Sequence, residues 1–367
     1  MQVKMQARIN ELQKLMDAAQ VEALYVTNPE NRYYLSGFTG TAGALLVCRD
    51  NTFLLTDFRY LEQAKHESPG LTIIEVNDSY AEALASILTA NSVSGLGCEG
   101  DHLVHNQFLM LKDKLVSVEI KETSGLVEKL RMAKDDDEIK NIEEAVRLAD
   151  LAFAKVLPMI KPGVSEREVA LQLEYSMRCM GADGVAFQFI VASGPRSALP
   201  HGVASTRRLQ QGELVTLDFG ALYHGYHSDI TRTVVLGEPS PKQQEIYYIV
   251  LEAQMRAIEA IRSGVRASDV DKIARDIITG KGYGERFGHG TGHGLGLNIH
   301  ENPRLSMKDD TVLRQGMTVT VEPGIYLPDW GGVRIEDTVV VGESDCEVLT
   351  RTPKDRLINL INLFSLS

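Results

Sequence analysis

Leu214-Val215-Thr216-Leu217-Asp218-Phe219-Gly220-Ala221-Leu222-Tyr223-His224-Gly225-Tyr226-His227-Ser228-Asp229-Ile230-Thr231-Arg232-Thr233-Val234-Val235-Leu236 consists of two apolar, β-branched runs around a turn-forming middle. The pattern predicts a β-hairpin. A turn centred on Tyr223 and His224 would set Asp218 opposite Asp229 and bring both carboxylates to one face of a two-stranded ribbon. Downstream, Thr318 to Glu322 and Val333 to Val341 predict a second pair of strands around a loop from Ile325 to Gly332, with Glu322 and Glu336 placed similarly. His293 lies in a segment with glycine at 288, 290, 292, 294 and 296. That spacing is too glycine-rich for a helix interior and suits close backbone approach to a ligand.

Asp218, Asp229, His293, Glu322 and Glu336 thus form an ordered set of hard ligands. Four carboxylates and one imidazole are the wrong donors for a structural zinc site, which favours thiolates and imidazoles. They suit ions such as manganese, cobalt or magnesium. Two divalent ions carry four positive charges, which four carboxylates cancel, leaving room for one activated hydroxide. A dinuclear hydrolytic site is the expectation.

Other patterns are weaker. His300-Glu301-Asn302-Pro303-Arg304 fails the HExxH zinc pattern, and the glycine-rich segment fits neither dinucleotide nor P-loop spacing. His289, four residues before His293, is read as a support behind the ligands or as structural, because the glycines deny it a helix. His66, His102, His105, His224 and His227 read as surface residues. Asp57, Arg59 and Tyr60 fit packing better than contact with a neighbouring subunit's substrate.

The contexts Leu-Asp-Phe-Gly around Asp218, Ser-Asp-Ile-Thr-Arg-Thr around Asp229, Gly-Thr-Gly-His-Gly-Leu-Gly around His293, Thr-Val-Glu-Pro-Gly around Glu322 and Val-Arg-Ile-Glu-Asp-Thr around Glu336 resemble one family. It is the superfamily of methionine aminopeptidase, prolidase, aminopeptidase P and creatinase, the pita-bread metallopeptidases, and within it the Xaa-Pro peptidase branch. Asn28-Pro29-Glu30-Asn31 and Tyr34-Leu35-Ser36-Gly37-Phe38 resemble its creatinase-type N-terminal domain, so the likeness spans essentially the whole chain. Creatinases lack the full ligand set, which disfavours that branch.

The resemblance implies two divalent metal ions, manganese foremost, with cobalt or zinc as alternatives. It implies that Asp218 chelates one ion, that His293 and Glu322 bind the other, and that Asp229 and Glu336 bridge them. Glu322 would also act as the proton acceptor. His201, 17 residues before Asp218, and His300, 7 after His293, would contact the substrate carbonyl and the tetrahedral intermediate. Arg334 would support the site by hydrogen bonding. Arg304, four residues after His300, reads either as the fork that captures a free proline carboxylate, as a similar arginine does in prolidases, or as a surface or salt-bridging arginine. The substrates would be Xaa-Pro peptides, with Xaa-Pro dipeptides favoured over the longer peptides of an aminopeptidase P. A non-catalytic binding protein on the same fold is the remote alternative.

The implied fold is an α+β pita-bread catalytic domain of pseudo-duplicated helix pairs and antiparallel strands over 127–367. A smaller α/β domain would precede it over 1–126. The local pattern agrees: Ile9 to Ala19, Tyr80 to Leu88, Ile139 to Ile160, Ser165 to Met180, Pro241 to Ile261 and Ala267 to Thr279 predict helices. Ser165 and Glu168 predict a capping box. Ala23 to Val26, Ala44 to Cys48 and Phe53 to Thr56 predict strands. Lys129 to Arg131 reads as a linker and Lys134 to Glu138 as a solvated helix start.

The net charge of −12 argues against a nucleic-acid surface. Cys48, Cys98, Cys179 and Cys346 lack metal-ligand spacing and fit free thiols in a reducing compartment. Met1 to Asn10 has no signal-peptide character, and no run approaches the roughly 18 apolar residues of a membrane span. A cytoplasmic protein without membrane partners is the expectation, a homodimer by family resemblance.

Overall fold

Ala23-Leu24-Tyr25-Val26, apolar at every position, is buried at every position and forms an inner strand, β1 (Ala23–Val26). An uninterrupted apolar run of this length is what a strand covered on both faces requires. In the computed structural model, which describes residues 2–360, the chain divides after Arg131 into two compact units.

The first unit runs α1 (Gln2–Ala19), β1, α2 (Pro29–Ser36), β2 (Ala44–Cys48), β3 (Thr52–Thr56), α3 (Leu61–Glu67), β4 (Thr72–Glu75), α4 (Tyr80–Ala90), β5 (Gly95–Glu99), α5 (His105–Lys114), β6 (Glu119–Thr123) and α6 (Leu126–Arg131). Its six strands form one mixed sheet in the order β4-β3-β2-β1-β5-β6. α1 begins seven residues before the Ile9 start read from sequence. Met5, Ile9, Leu12 and Met16 recur at helical spacing and are buried, and the polar residues between them form the outer face. α2 starts on Asn28, whose side chain accepts from the Asn31 amide, with Pro29 in its first turn. It stops at Gly37, in the left-handed region at φ 71°. Leu84, Ile87 and Leu88 of α4 pack with Leu46 and Leu55 of the sheet. Burial of each such side chain contributes about 1.5 to 3 kcal/mol. Lys129 to Arg131, read as a linker, belong to helix α6, and Arg131 donates to Asn31 Oδ1 at 2.6 Å.

The second unit repeats one plan. α7 (Asp136–Val156) and α8 (Glu166–Cys179) precede β7 (Gly184–Val185), β8 (Ile190–Ser193), β9 (Leu214–Phe219), β10 (Ala221–Tyr223), β11 (Tyr226–His227) and β12 (Ile230–Val235). α9 (Pro241–Ala260) and α10 (Ala267–Gly280) precede β13 (Gly292–Gly294), β14 (Glu301–Leu305), β15 (Thr318–Val321), β16 (Gly324–Leu327), β17 (Gly331–Arg334) and β18 (Asp337–Val341), followed by β19 (Cys346–Val348) and β20 (Ile358–Asn359). Each helix pair covers its own strands. Val169 and Leu173 pack with Val215, Leu217 and Ile230, while Val250, Val270 and Ala274 pack with Val319, Val321 and Val339. Ser165 caps α8 with the capping box closed by Glu168.

Lys134 to Glu138 does start a helix, but only Asp136 and Asp137 of the run are exposed. Asp135 caps α7 in a capping box with Glu138, which is buried, and the Lys134 side chain is 1% exposed and paired with Glu301 at 3.0 Å.

The hairpin registers differ from the sequence reading in an informative way. Leu222 pairs with His227 and Tyr223 with Tyr226, so the turn residues are His224 and Gly225, at φ 48° and 81°. Two successive positive φ angles are those of a type I′ turn, whose twist matches the strands. Asp218 therefore pairs with Thr231, not Asp229. Asp229 falls in the break before β12, opposite Gly220, where a Cβ would lie 1.9 Å from the Ser228 carbonyl oxygen. In the second hairpin the segment Ile325 to Gly332 is no loop but the ribbon β16/β17. Val321 pairs with Asp337 and Gly324 with Arg334 in one register, which leaves Glu322 opposite Glu336 at the interruption.

Candidate metal centre

Asp218, Asp229, His293, Glu322 and Glu336 all line one cavity of about 690 Å³, together with His201, His300, Arg304 and Arg334. Every site residue read from sequence reaches this cavity. The tightest group is Asp229, His293 and Glu336, each offering a ligand atom within 4.8 Å of the others. His293 Nε2 stands 3.5 Å from Asp229 Oδ2 and 3.4 Å from Glu322 Oε1. Its Nδ1 is 2.9 Å from the Gly294 carbonyl oxygen. That bond places the proton on Nδ1 and leaves the Nε2 lone pair facing the carboxylates, the tautomer a metal ligand needs.

The donor set fits divalent cations. Asp218 Oδ1, Asp229 Oδ1 and Glu336 Oε1 are buried without a hydrogen-bond partner among the described residues. Buried carboxylate oxygens left this way are costly unless a cation meets them. Burial, reinforced by Glu336, Asp218 and Glu322, pushes the Asp229 carboxyl well above the usual range. Glu336 is raised in the same way, first by burial and then by Glu322 and Asp218, and burial brings Glu322 up to about 7. His293 is pushed down to about 3, chiefly by burial, and stays neutral at physiological pH.

The remaining oxygens are held. Arg334 Nη2 donates to Asp218 Oδ2 at 2.6 Å, its Nε to Thr231 Oγ1 at 3.0 Å, and its Nη1 to the Tyr326 hydroxyl at 3.0 Å and the Pro200 carbonyl at 3.2 Å. Burial opposes the Arg334 charge, but Tyr326, Asp218 and Glu322 overcome it and hold the guanidinium protonated. Thr231 Oγ1 donates to Glu336 Oε2 at 2.7 Å, and Thr320 Oγ1 to Glu322 Oε1 at 3.3 Å.

The glycines around His293 approach neighbouring strands rather than a ligand alone. A Cβ on Gly292 would lie 2.0 Å from the Thr320 carbonyl oxygen, and one on Gly294 2.4 Å from that of Asn302. The segment is also clamped from α10. Asp271, fully buried, accepts from Thr291 N and Oγ1 at 2.9 Å and from Arg275, which donates to the carbonyls of Phe287 and His289. Glu322 N donates to the Thr291 carbonyl at 2.7 Å, which ties the ligand strand to that clamp. The ring of His300 sits edge-on to His293 at 4.5 Å.

Sequence reasoning missed Thr231, Thr320, Tyr326 and the Asp271–Arg275 pair. The i, i+4 spacing of Asp271 and Arg275 is a visible ion-pair pattern; the threonine contacts carry no local signature. His289, read as a support or as structural, lies on the cavity wall, 2.9 Å from the Tyr326 hydroxyl to which Arg334 donates. Of the histidines read as surface, His66, His102, His105 and His224 are exposed, whereas His227 is half-buried with Nδ1 3.1 Å from the Gly296 carbonyl. Asp57, Arg59 and Tyr60 engage one another: Asp57 accepts from Arg59 at 2.9 and 2.7 Å, and Arg59 lies over Tyr60. The four cysteines are free thiols, and no helix among the described residues is long and apolar enough to cross a membrane.

A duplicated helix-and-hairpin fold whose two hairpins deliver carboxylates and an imidazole to one cavity defines a metallopeptidase of the pita-bread type. The chain belongs to metallopeptidase family M24, matched over residues 140–343, and carries a creatinase/prolidase N-terminal domain over 8–133. It is 44% identical over 357 residues to a Xaa-Pro dipeptidase of Pyrococcus furiosus, covering 96% of this chain and 100% of that protein. The structure of a Xaa-Pro dipeptidase from Bacillus anthracis superposes with a TM-score of 0.95 at 48% identity, covering 96% of this chain and 99% of that one. An X-Pro aminopeptidase from Thermotoga maritima gives a TM-score of 0.87 at 39% identity over 95% and 99% of the two chains.

Proposed function

We propose that the chain hydrolyses the Xaa-Pro bond of dipeptides at a dinuclear metal centre, whose ions Asp218, Asp229, His293, Glu322 and Glu336 would hold. The orphaned carboxylate oxygens on the cavity wall support this assignment. Manganese suits so oxygen-rich a set. When bound, the ions supply a nucleophile by lowering the pKa of water and polarise the scissile carbonyl.

The chain's own residues do the rest. Glu322 accepts the proton of the attacking water. His201 and His300, both on the cavity wall, donate to the developing oxyanion. Arg334 holds Asp218 in place. Proline offers no amide N–H, so a site that grips the carbonyl and the termini is suited to this bond. A cytoplasmic homodimer accords with the family resemblance.

The observation that carries the dipeptidase reading is Arg304. It pairs with His293 across β13 and β14, lines the cavity, and its guanidinium has no hydrogen-bond partner among the described residues. A planar, permanently charged fork suits bidentate capture of a free proline carboxylate. The likeness to the Thermotoga maritima aminopeptidase favours a second reading, action on longer peptides. Cleavage of Ala-Pro, its amide and Ala-Pro-Ala by wild type and Arg304→Ala separates the two. Amidation should cost about 1.5 to 3 kcal/mol in kcat/KM, and Arg304→Ala should erase most of that difference. Equal or faster cleavage of the tripeptide by wild type contradicts the dipeptidase.

A further inference from the structure

Between Ser193, at the end of β8, and Ser205, the chain makes a 3₁₀ turn over Gly194–Ala198 and reaches His201 on the cavity wall. The segment is exposed at Leu199, His201 and Val203. Exposed loops of this kind are usually mobile. Both of its ends nevertheless converge on one side chain.

Glu166, the first residue of α8, is fully buried. Its Oε1 accepts from Ser193 N at 2.9 Å and Ser193 Oγ at 2.8 Å. Its Oε2 accepts from Ser205 N at 3.0 Å, from Ser205 Oγ at 2.6 Å and from Arg196 Nη1. Arg196 then donates through Nη2 to the Val203 carbonyl at 2.9 Å, two residues beyond His201. Arg167 N also donates to the Ser205 carbonyl at 2.9 Å. One carboxylate therefore ties the start, the middle and the end of the loop to a helix terminus.

Burying a carboxylate is costly, and here the helix N-terminus and a full set of donors offset the cost. What the charge adds over an apolar side chain is a fixed distance between the two ends of the loop and a fixed path between them. We infer that Glu166 is a positioning residue: it sets His201 against the substrate carbonyl, an inference that rests on the role given to His201 above. Glu166 is far from being a ligand itself; none of its oxygens faces the cavity, whose lining does not include it.

Glu166→Gln turns an amide N–H₂ toward donors and should unhinge the loop while leaving the metal ligands untouched. Metal content should hold, KM for Ala-Pro should change little, and kcat should fall about 10- to 100-fold, as expected for a displaced catalytic contact. In a His201→Ala background the same substitution should lower kcat no further. A brace that serves stability alone would lower Tm in both backgrounds and leave kcat of the folded enzyme unchanged, which overturns the inference. So does a loss of kcat that persists undiminished in the His201→Ala background. Wild-type kcat in His201→Ala overturns the role of His201 itself, and this inference with it. If Glu166→Gln does not fold, Ser205→Ala, which removes one strut without burying an unpartnered charge, enters the same cycle; a several-fold loss of kcat confined to the His201 background is expected, and an equal loss in both backgrounds overturns the inference.

Discussion

The aspartate hairpin and the glutamate hairpin do the same job with different construction. In the first, Asp218 sits within the ladder, paired with Thr231, while Asp229 sits at an interruption opposite Gly220. In the second, Glu322 and Glu336 face each other at an interruption between two ribbons of one register. The common element is the break. Three of the four carboxylates leave the ladder at a point where backbone pairing stops, and buried oxygens without partners among the described residues occur both there, at Asp229 Oδ1 and Glu336 Oε1, and within the ladder, at Asp218 Oδ1. The bracing runs between the two hairpins. Thr231 of the aspartate hairpin donates to Glu336 of the glutamate hairpin, and Arg334 of the glutamate hairpin donates to Asp218 of the aspartate hairpin. Each hairpin orients the ligand of the other.

That reciprocity is open to attack. Thr231→Val removes the hydroxyl that Glu336 and Arg334 share. It should weaken divalent-metal affinity about 10- to 100-fold, the usual cost of losing a group that orients a metal ligand. Thr320→Val, at a longer 3.3 Å contact with Glu322 within its own hairpin, should cost less. Chelator competition measures both, and equal effects would mean that bracing across hairpins has no special weight.

A smaller effect should appear in the stability of the chelated protein. Burial brings Glu322 up to about 7 and raises Asp229 and Glu336 well above the carboxylate range. His289 and His293, pushed down to about 4 and 3 by burial, oppose this trend below their ordinary value of 6.5. Above about pH 7.5 these histidines are essentially neutral whether folded or unfolded. There the folded, chelated protein holds carboxyl protons that the unfolded chain has lost, so its stability falls as pH rises. Tm of chelated protein should decline above about pH 7.5 by roughly 2 to 4 °C for each kcal/mol lost, and added Mn²⁺ should flatten the slope. A flat profile in chelator would show that the two hairpins do not crowd their charges together.

The comparison also explains what the sequence could convey. Which face Asp218 and Asp229 occupy was legible, because strand side chains alternate with period two and survive a shift of two residues. The register was not, because it depends on His224 adopting a positive φ beside Gly225, a choice open to either neighbour of the turn. The family contexts carried His201, His300 and Arg304 to the cavity wall. Nothing local marks Thr231, whose partner Glu336 lies 105 residues away, or Tyr326, which links His289, 37 residues away, to Arg334. Lys134 read as part of a solvated charge run because its partner, Glu301, is remote in sequence. Long-range pairing of this sort is the part of a fold that periodicity and composition do not encode.

The central claim is that the two hairpins build one metal centre rather than two acidic surfaces. Elemental analysis of protein purified without chelator, for wild type, Asp229→Asn and Glu336→Gln, tests it most directly. Each substitution removes an anion from a different hairpin, and each should abolish or sharply reduce bound metal, with peptidase activity lost in parallel. Full wild-type metal content in either variant would contradict the account.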